Sequence, residues 1–242
     1  MNVLEIPFLK RFYPSIIRRV FILFGKINLY IKINGYFFEL DIRESIERKT
    51  YFEKNYEKER MNFLIDQSKN INSNVLIDIG AYIGFYSIIL AKYFNKVFSF
   101  EPQIRNFNVL NKNILRNNLD DKIISHNYGL SDENKELYGH SRKKGKLLQS
   151  SGFSLMKGGN EKVSTIIGDN LLKFRDEILT IKIDVEGFEV SVLRGIKNVL
   201  KNNKCLIQIE IWNENYDSVH NYLKSLNYKE INVIDGDTFF LN

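Results

Sequence analysis

Val75-Leu-Ile-Asp-Ile-Gly-Ala-Tyr-Ile-Gly84 is an apolar run of strand length that ends at one glycine, turns, and passes a second glycine into Phe85-Tyr-Ser-Ile-Ile-Leu90. A strand, a glycine turn and a helix in this order open an α/β unit. In such units ligands bind at the carboxyl ends of the strands, where a residue without Cβ lets backbone approach a cofactor closely. Gly80, Ala81, Tyr82 and Gly84 therefore line a candidate cofactor turn, with Asp78 placed to hold a charged group directly or through water. A dinucleotide fingerprint needs Gly-x-Gly-x-x-Gly. Here Gly80, Tyr82 and Phe85 fill those places, so a pyrophosphate cradle is poorly supported.

The next apolar strand, Lys96 to Phe100, delivers Glu101 to the same edge, roughly 20 residues beyond Asp78, the spacing at which nucleotide-binding α/β folds place a ribose-binding acid. Charge-assisted bonds from a diol to its carboxylate make Glu101 the expected ribose ligand. Pro102, and Asn127 to Gly129 after the third strand, are expected to line an adenine pocket. Further on, Ile181-Lys-Ile-Asp-Val-Glu-Gly-Phe-Glu189 brings three carboxylates to the strand edge. A hydroxyl nucleophile needs a base to take its proton, and Asp184 and Glu186 are the candidates. Glu189 reads as a charge at the start of the following helix. Clustered carboxylates also suit a hard cation, but no well-spaced histidine accompanies them and no metal is expected. His126, His140 and His220 read as structural or solvated.

Outward from these segments, strands alternate with helical patterns, which predicts an α/β fold with a doubly wound, mostly parallel sheet. Strands are expected at 75–79, 96–100, 122–127, 163–166, 179–183, 205–211, 228–233 and 238–241. The last two form a terminal antiparallel hairpin about Asp235-Gly236. Helices are expected at 84–94, 104–117, 169–174, 190–200 and 215–226. Residues 1–60 read as a small N-terminal cap, with a short amphipathic helix over 15–24 and a hairpin about Asn34-Gly35. Residues 61–242 form the main domain. Ser131 to Asn160, rich in Gly, Ser and Lys, is too long for a plain connection and reads as an irregular flap or substrate loop.

With 242 residues and 44% hydrophobic content, the chain has the length of one such domain plus a cap. Cys205 is the only cysteine, so no intrachain disulfide forms, and its apolar neighbours place it in the core. No apolar run reaches the ~20 residues of a membrane span and no cleavage signal is read, so a cytoplasmic location is expected. The net charge is +6, and Lys10, Arg11, Arg18, Arg19, Lys26 and Lys32 face only Glu5 in the first 35 residues. Such a segment suits peripheral contact with an anionic membrane or a phosphorylated substrate. Nothing interleaves basic and aromatic residues in a way that argues for nucleic acid.

The runs IDIGAYIGFYSIILA, FSFEP and IKIDVEGFEVSVLRGI, with LSD at Leu130 to Asp132 and IEIW at Ile209 to Trp212, resemble the signature blocks of the FkbM family of methyltransferases over about Tyr56 to Trp212. The resemblance implies the Rossmann-like, seven-stranded class I methyltransferase fold, S-adenosylmethionine as donor, and O-methylation of a hydroxyl on a sugar, glycan or secondary metabolite. Asp78, Gly80, Ala81, Gly84, Glu101 and Asp184 match the family pattern position by position. Tyr82 departs from it, since the family more often has asparagine there, and tyrosine tolerates a left-handed turn less readily. The cationic residues Arg142, Lys143, Lys144 and Lys146 would suit a phosphorylated or lipid-linked glycan. Alternatives are a lipid or polyketide-like hydroxyl as acceptor, a noncatalytic binding protein that keeps the fold, and a nicotinamide-dependent oxidoreductase, which the absent dinucleotide glycines disfavour.

Overall fold

The computed structural model describes residues 16–54, 57–144, 147–155, 159 and 161–242, with the side chains of 140–158 left outside. His140 and the basic residues Arg142, Lys143, Lys144 and Lys146 therefore have no described side chains. The chain divides into two compact units, Met1–Tyr56 with Ser141–Gly152, and Glu57–His140 with Phe153–Asn242. Among the described residues no helix is long and apolar enough to cross a membrane.

In the first unit, residues 16–23 are helical. The helix closes at Gly25, whose φ of 66° lets the Lys26 N–H turn back to the Phe21 carbonyl at 2.8 Å. Strands β1 (Asn28–Ile33) and β2 (Tyr36–Asp41) pair antiparallel across Asn34-Gly35, both with positive φ, the geometry that matches strand twist in a two-residue hairpin. A helix, Ser45–Glu53, follows.

The second unit is built on a seven-stranded sheet. Its strands are β3 (Val75–Ile79), β4 (Lys96–Phe100), β5 (Ile123–His126), β10 (Ile178–Ile183), β11 (Lys204–Glu210), β12 (Lys229–Ile234) and β13 (Asp237–Leu241). They lie in the order β12-β13-β11-β10-β3-β4-β5, and only β13 runs antiparallel to its neighbours. The central strands read as continuous apolar runs because both faces are covered. In register, Ile77 lies beside Ile181, Ile181 beside Ile207 and Ile207 beside Phe240, a row of side chains that are at most 2% exposed. Each contributes about 1.5–3 kcal/mol by leaving water. From β3 the chain winds outward to β4 and β5, then returns to β10 on the other side of β3. That reversal opens a crevice at the carboxyl ends of β3 and β10, where doubly wound sheets bind ligands.

Three expectations are corrected. Among its described residues the stretch 131–160 is mostly strand: β7 (Lys135–Lys144) and β8 (Leu147–Leu155) belong to a second sheet, with β6 (Gly129–Ser131) and β9 (Glu161–Ile167), in the order β6-β9-β7-β8. Backbone pairing sustains such strands without apolar alternation, because the ladder bonds are made by main-chain groups. The strand expected over 163–166 belongs to this second sheet, parallel to β6 and antiparallel to β7. The helix expected over 190–200 is broken into Glu189–Gly195 and Lys197–Asn202. At the break Gly195 lies so close to the Ser131 carbonyl that a Cβ would stand 2.0 Å from its oxygen.

Candidate active site at the carboxyl edge of the sheet

At the end of β3 the backbone turns at Gly80 with φ +84°, and a Cβ there would lie 1.8 Å from the Asp184 carbonyl oxygen. Only glycine lets the end of β3 lie against the end of β10 in this way. Gly84, at φ +95°, starts the helix Phe85–Leu90, and a Cβ on it would meet Leu110 at 2.6 Å. The turn is pinned to β4 by its own backbone. The N–H groups of Gly80 and Ala81 both donate to the Phe100 carbonyl at 2.9 Å. Tyr82 adopts φ 53°, so the left-handed conformation that disfavours tyrosine is the one it holds. Its N–H donates to Glu101 Oε2 at 2.9 Å.

Glu101 follows β4 and is 6% exposed. Its Oε1 accepts the Gln103 N–H at 2.9 Å, and the Asn106 side chain adds a further hydrogen bond. Burial pushes its carboxyl up to about 7, against the pull of the two backbone donors. The Asn127 amide donates to the Glu101 and Pro102 carbonyls at 3.0 and 3.1 Å, fixing this corner. Gly129 lies against Pro102, whose ring stands 3.7 Å from where a Cβ would be. Cofactor-site candidates from three strand ends are thus in direct contact.

Asp78 lies behind the turn, fully buried. Its Oδ2 accepts from the Ser87 N–H at 3.1 Å and the Ser87 hydroxyl at 2.5 Å, which ties β3 to the following helix. Its Oδ1 is buried without a hydrogen-bond partner, and the Lys182 ammonium stands 3.9 Å away. Burial raises the Asp78 carboxyl above its usual range, opposed by Lys182 and Ser87.

On the other side of the crevice, Asp184 follows β10, and its side chain is 32% exposed. Lys182 donates to Asp184 Oδ2 at 3.2 Å and to the Gly80 carbonyl at 3.4 Å. Because Ile183 pairs with Ile209, the next residues along, Asp184 and Glu210, stand side by side at the ends of β10 and β11. Burial, then the Asp184 charge, push Glu210 well above the usual carboxylate range. Beneath it, Gln208 donates to Asp237 at 2.6 Å and to the Tyr86 hydroxyl at 2.8 Å, while Arg60 donates to Asp237 at 2.7 Å. Glu186 sits two residues beyond Asp184 with φ 52°. Glu189 is buried and braces the loop: its Oε1 accepts the Gly187 N–H at 2.8 Å and its Oε2 the Asn215 amide at 2.6 Å.

Lys182 and Glu210 were not among the residues expected from sequence. The signal for Lys182 is a lysine inside the apolar strand ILTIKI that ends 5% exposed. Glu210 needs the strand register to be found. His126 stacks on the rings of both Phe100 and Tyr128, which also approach each other, and burial lowers its pKa. His220 pairs with Glu230 at 2.8 Å, away from the crevice residues in sequence and hydrogen bonding. Cys205 is buried, and burial raises its thiol to about 12, too high for a nucleophile at neutral pH. Among the described residues no group of three or more His, Cys, Asp or Glu side chains is arranged to hold a metal ion.

Comparison with known proteins agrees with this architecture. A hexuronic acid methyltransferase, AglP of Haloferax volcanii, is 28% identical over 156 residues, which cover 63% of this chain and 62% of that protein. This chain thus spans under two thirds of the curated relative it matches. The solved structure of an FkbM methyltransferase from Methylobacillus flagellatus aligns at a TM-score of 0.50 and 19% identity, covering 71% of this chain and 44% of that one. A structure described as a putative rRNA methylase from Clostridium thermocellum aligns at a TM-score of 0.50 and 12% identity, covering 75% and 93%. At these identities the structures speak for the fold, that of class I methyltransferases. The model of the methyltransferase FkbM domain matches residues 78–230, most of the chain and both sides of the crevice, and on that match the protein belongs to the FkbM methyltransferase family.

Proposed function

We propose that this protein transfers a methyl group from S-adenosylmethionine to a hydroxyl of a sugar or glycan. The observation that carries the reading is that Glu101 and Asp184, one suited to a ribose and one to a proton, flank the same close-packed glycine turn. Tyr82 ties that turn to Glu101, and Gly80 lies against the Asp184 backbone. Family membership and the hexuronic acid methyltransferase among the relatives support it.

The residues present fit the donor. The Glu101 carboxylate accepts two backbone N–H groups and the Asn106 side chain, which leaves one of its acceptor sites for a ribose hydroxyl. Gly80, Ala81, Tyr82 and Gly84 would face its amino-acid portion, with Asp78 behind them, and Pro102, Asn127 and Gly129 its adenine. When bound, S-adenosylmethionine supplies an electrophilic methyl group on a sulfonium. The protein's part is to align an acceptor hydroxyl and remove its proton, which Asp184 can accept from the crevice wall, with Glu186 the second candidate.

We assign the chemistry to residues 61–242 and an accessory role to 1–60. Residues 16–38 carry Arg18, Arg19, Lys26 and Lys32 and no acid, and Leu23 and Phe24 are 83% and 77% exposed. This composition supports contact with an anionic lipid surface, and hence a lipid-linked or phosphorylated acceptor. Incubation with labelled donor and a panel of hexuronic acids, sugar nucleotides and lipid-linked glycans, read by mass, tests the function. A methyl gained on a sugar hydroxyl is expected. Donor binding with transfer only to lipid or polyketide hydroxyls would overturn the acceptor class. NAD binding without S-adenosylmethionine binding, or no binding of either, would overturn the function.

A further inference from the structure

We infer that Lys182 and Glu210 are positioning residues for Asp184, holding its carboxylate between the donor turn on β3 and the end of β11. The inference rests on the proposed role of Asp184 in proton removal. Its footing is geometric. The Lys182 ammonium is 3.2 Å from Asp184 Oδ2, 3.4 Å from the Gly80 carbonyl oxygen and 3.9 Å from Asp78 Oδ1, and it lies 5.0 Å from the centroid of the Tyr86 ring. One buried cation therefore bridges the glycine turn and the acid beside it. Glu210 reaches Asp184 from the neighbouring strand through the Ile183–Ile209 register.

Charge balance explains why both are needed. Facing this cluster are Asp78 from β3, Tyr86 from the helix after it, Asp184 after β10, Glu210 from β11, Asp237 from β13, and Glu57 and Arg60 from the segment before β3. Among the described residues Arg60 pairs with Asp237 and Glu57 at 2.7 and 3.7 Å, and Lys182 is the cation paired with Asp78 and Asp184, at 3.9 and 3.2 Å, with Glu57, Glu101 and Asp237 also within its field. A third ionised carboxylate at Glu210 would be uncompensated. Glu210 instead keeps its proton and donates it in a hydrogen bond to Asp184, in keeping with the upward shift that its burial and its neighbour cause. Asp184 is then held from one side by an ammonium and from the other by a neutral acid.

The test combines kinetics with side-chain carboxyl 13C NMR of the donor-free protein. Lys182→Met is expected to lower kcat by roughly 10- to 100-fold, the scale of a displaced general base. It is expected to weaken the donor as well because Lys182 also holds the Gly80 carbonyl, so the variants expected to leave donor Kd little changed are those at Glu210. Glu210→Leu is expected to lower kcat in the same way, and Glu210→Gln, whose amide still donates, to recover part of it. In the NMR titration one glutamate signal beyond that of Glu101 should titrate above the ordinary carboxylate range. Glu210→Gln should remove it and Lys182→Met should move it to still higher pH. Unchanged kcat in Lys182→Met, equal loss in Glu210→Gln and Glu210→Leu, or an ordinary Glu210 titration would each overturn the inference. If Lys182→Met does not fold, the Glu210 pair and the titration decide. A wild-type protein that binds no donor or transfers no methyl defeats the proposed function instead, while the titration still reports on the Lys182–Glu210 coupling.

Discussion

The two walls of the crevice are made from different materials. On the donor wall, β3 and β4 meet through backbone: the N–H groups of Gly80, Ala81 and Tyr82 go to Phe100 and Glu101, and Gly80 and Gly84 provide clearance. On the chemistry wall, β10, β11 and β13 meet through charged and polar side chains: Lys182, Asp184, Glu210, Asp237 and Arg60. Backbone fitting tolerates almost no added volume, and on this wall pH acts through the Glu101 carboxyl. Charge pairing tolerates shape change but not the loss of one partner. The difference implies that donor binding and proton removal respond to separate substitutions, although the walls touch at Gly80 and Asp184.

The largest effect is expected where the walls touch. Gly80→Ala places a Cβ 1.8 Å from the Asp184 carbonyl oxygen at a φ of +84°. It is expected to cost about 4 kcal/mol or more and to abolish donor binding, as read by urea unfolding and calorimetry. An alanine variant of normal stability would mean that the backbones are not in contact. Next is a break confined to the charged wall. Arg60→Met leaves Asp237, whose side chain is 4% exposed, without its cation. A loss of about 3 kcal/mol is expected. A shift of the urea midpoint no larger than that of an exposed arginine would remove the network from the account.

Glu101 sharpens the comparison through pH. Its carboxyl is raised to about 7 by burial, whereas ribose hydroxyls donate best to the ionised form. Donor affinity should therefore be weak below pH 7 and rise as pH passes through it, and Glu101→Gln should flatten that rise. Glu101→Ala is expected to weaken the donor by about 1–3 kcal/mol at pH 8. Calorimetry from pH 6 to pH 8.5 checks both, and a pH-independent wild-type affinity would remove Glu101 from the ribose site. The smallest effect concerns Tyr82 at φ 53°. Tyr82→Asn should relax the left-handed turn and stabilise the protein by about 1 kcal/mol in urea unfolding, with the Glu101 contact kept because it uses backbone. A destabilised variant would show that the tyrosine ring, not the turn, governs this position.

The same contrast explains what could be read from sequence. The donor wall is contiguous: Asp78 to Gly84 and the Glu101 strand end stand next to one another in chain order, and glycine placement announces the turn. The central strands were legible because burial on both faces leaves unbroken apolar runs. The charged wall was only half visible. Asp184 sits in a motif, but Glu210 becomes its neighbour through the pairing of β10 with β11, and Asp237 arrives because β13 inserts between β11 and β12. Strand order is not written in local pattern. Strands β7 and β8 are hidden by their Gly, Ser and Lys content, which masks backbone pairing, and the break at Gly195 by its close contact with a carbonyl from β6, distant in sequence.

Donor titration of Asp184→Asn by calorimetry, on a preparation whose methyl transfer has been measured, tests the separation of the two walls most directly. The substitution keeps shape and removes the base, so the account predicts a donor Kd within about twofold of wild type together with turnover reduced by roughly 100-fold or more. Loss of donor binding in step with turnover, or turnover retained, would contradict it.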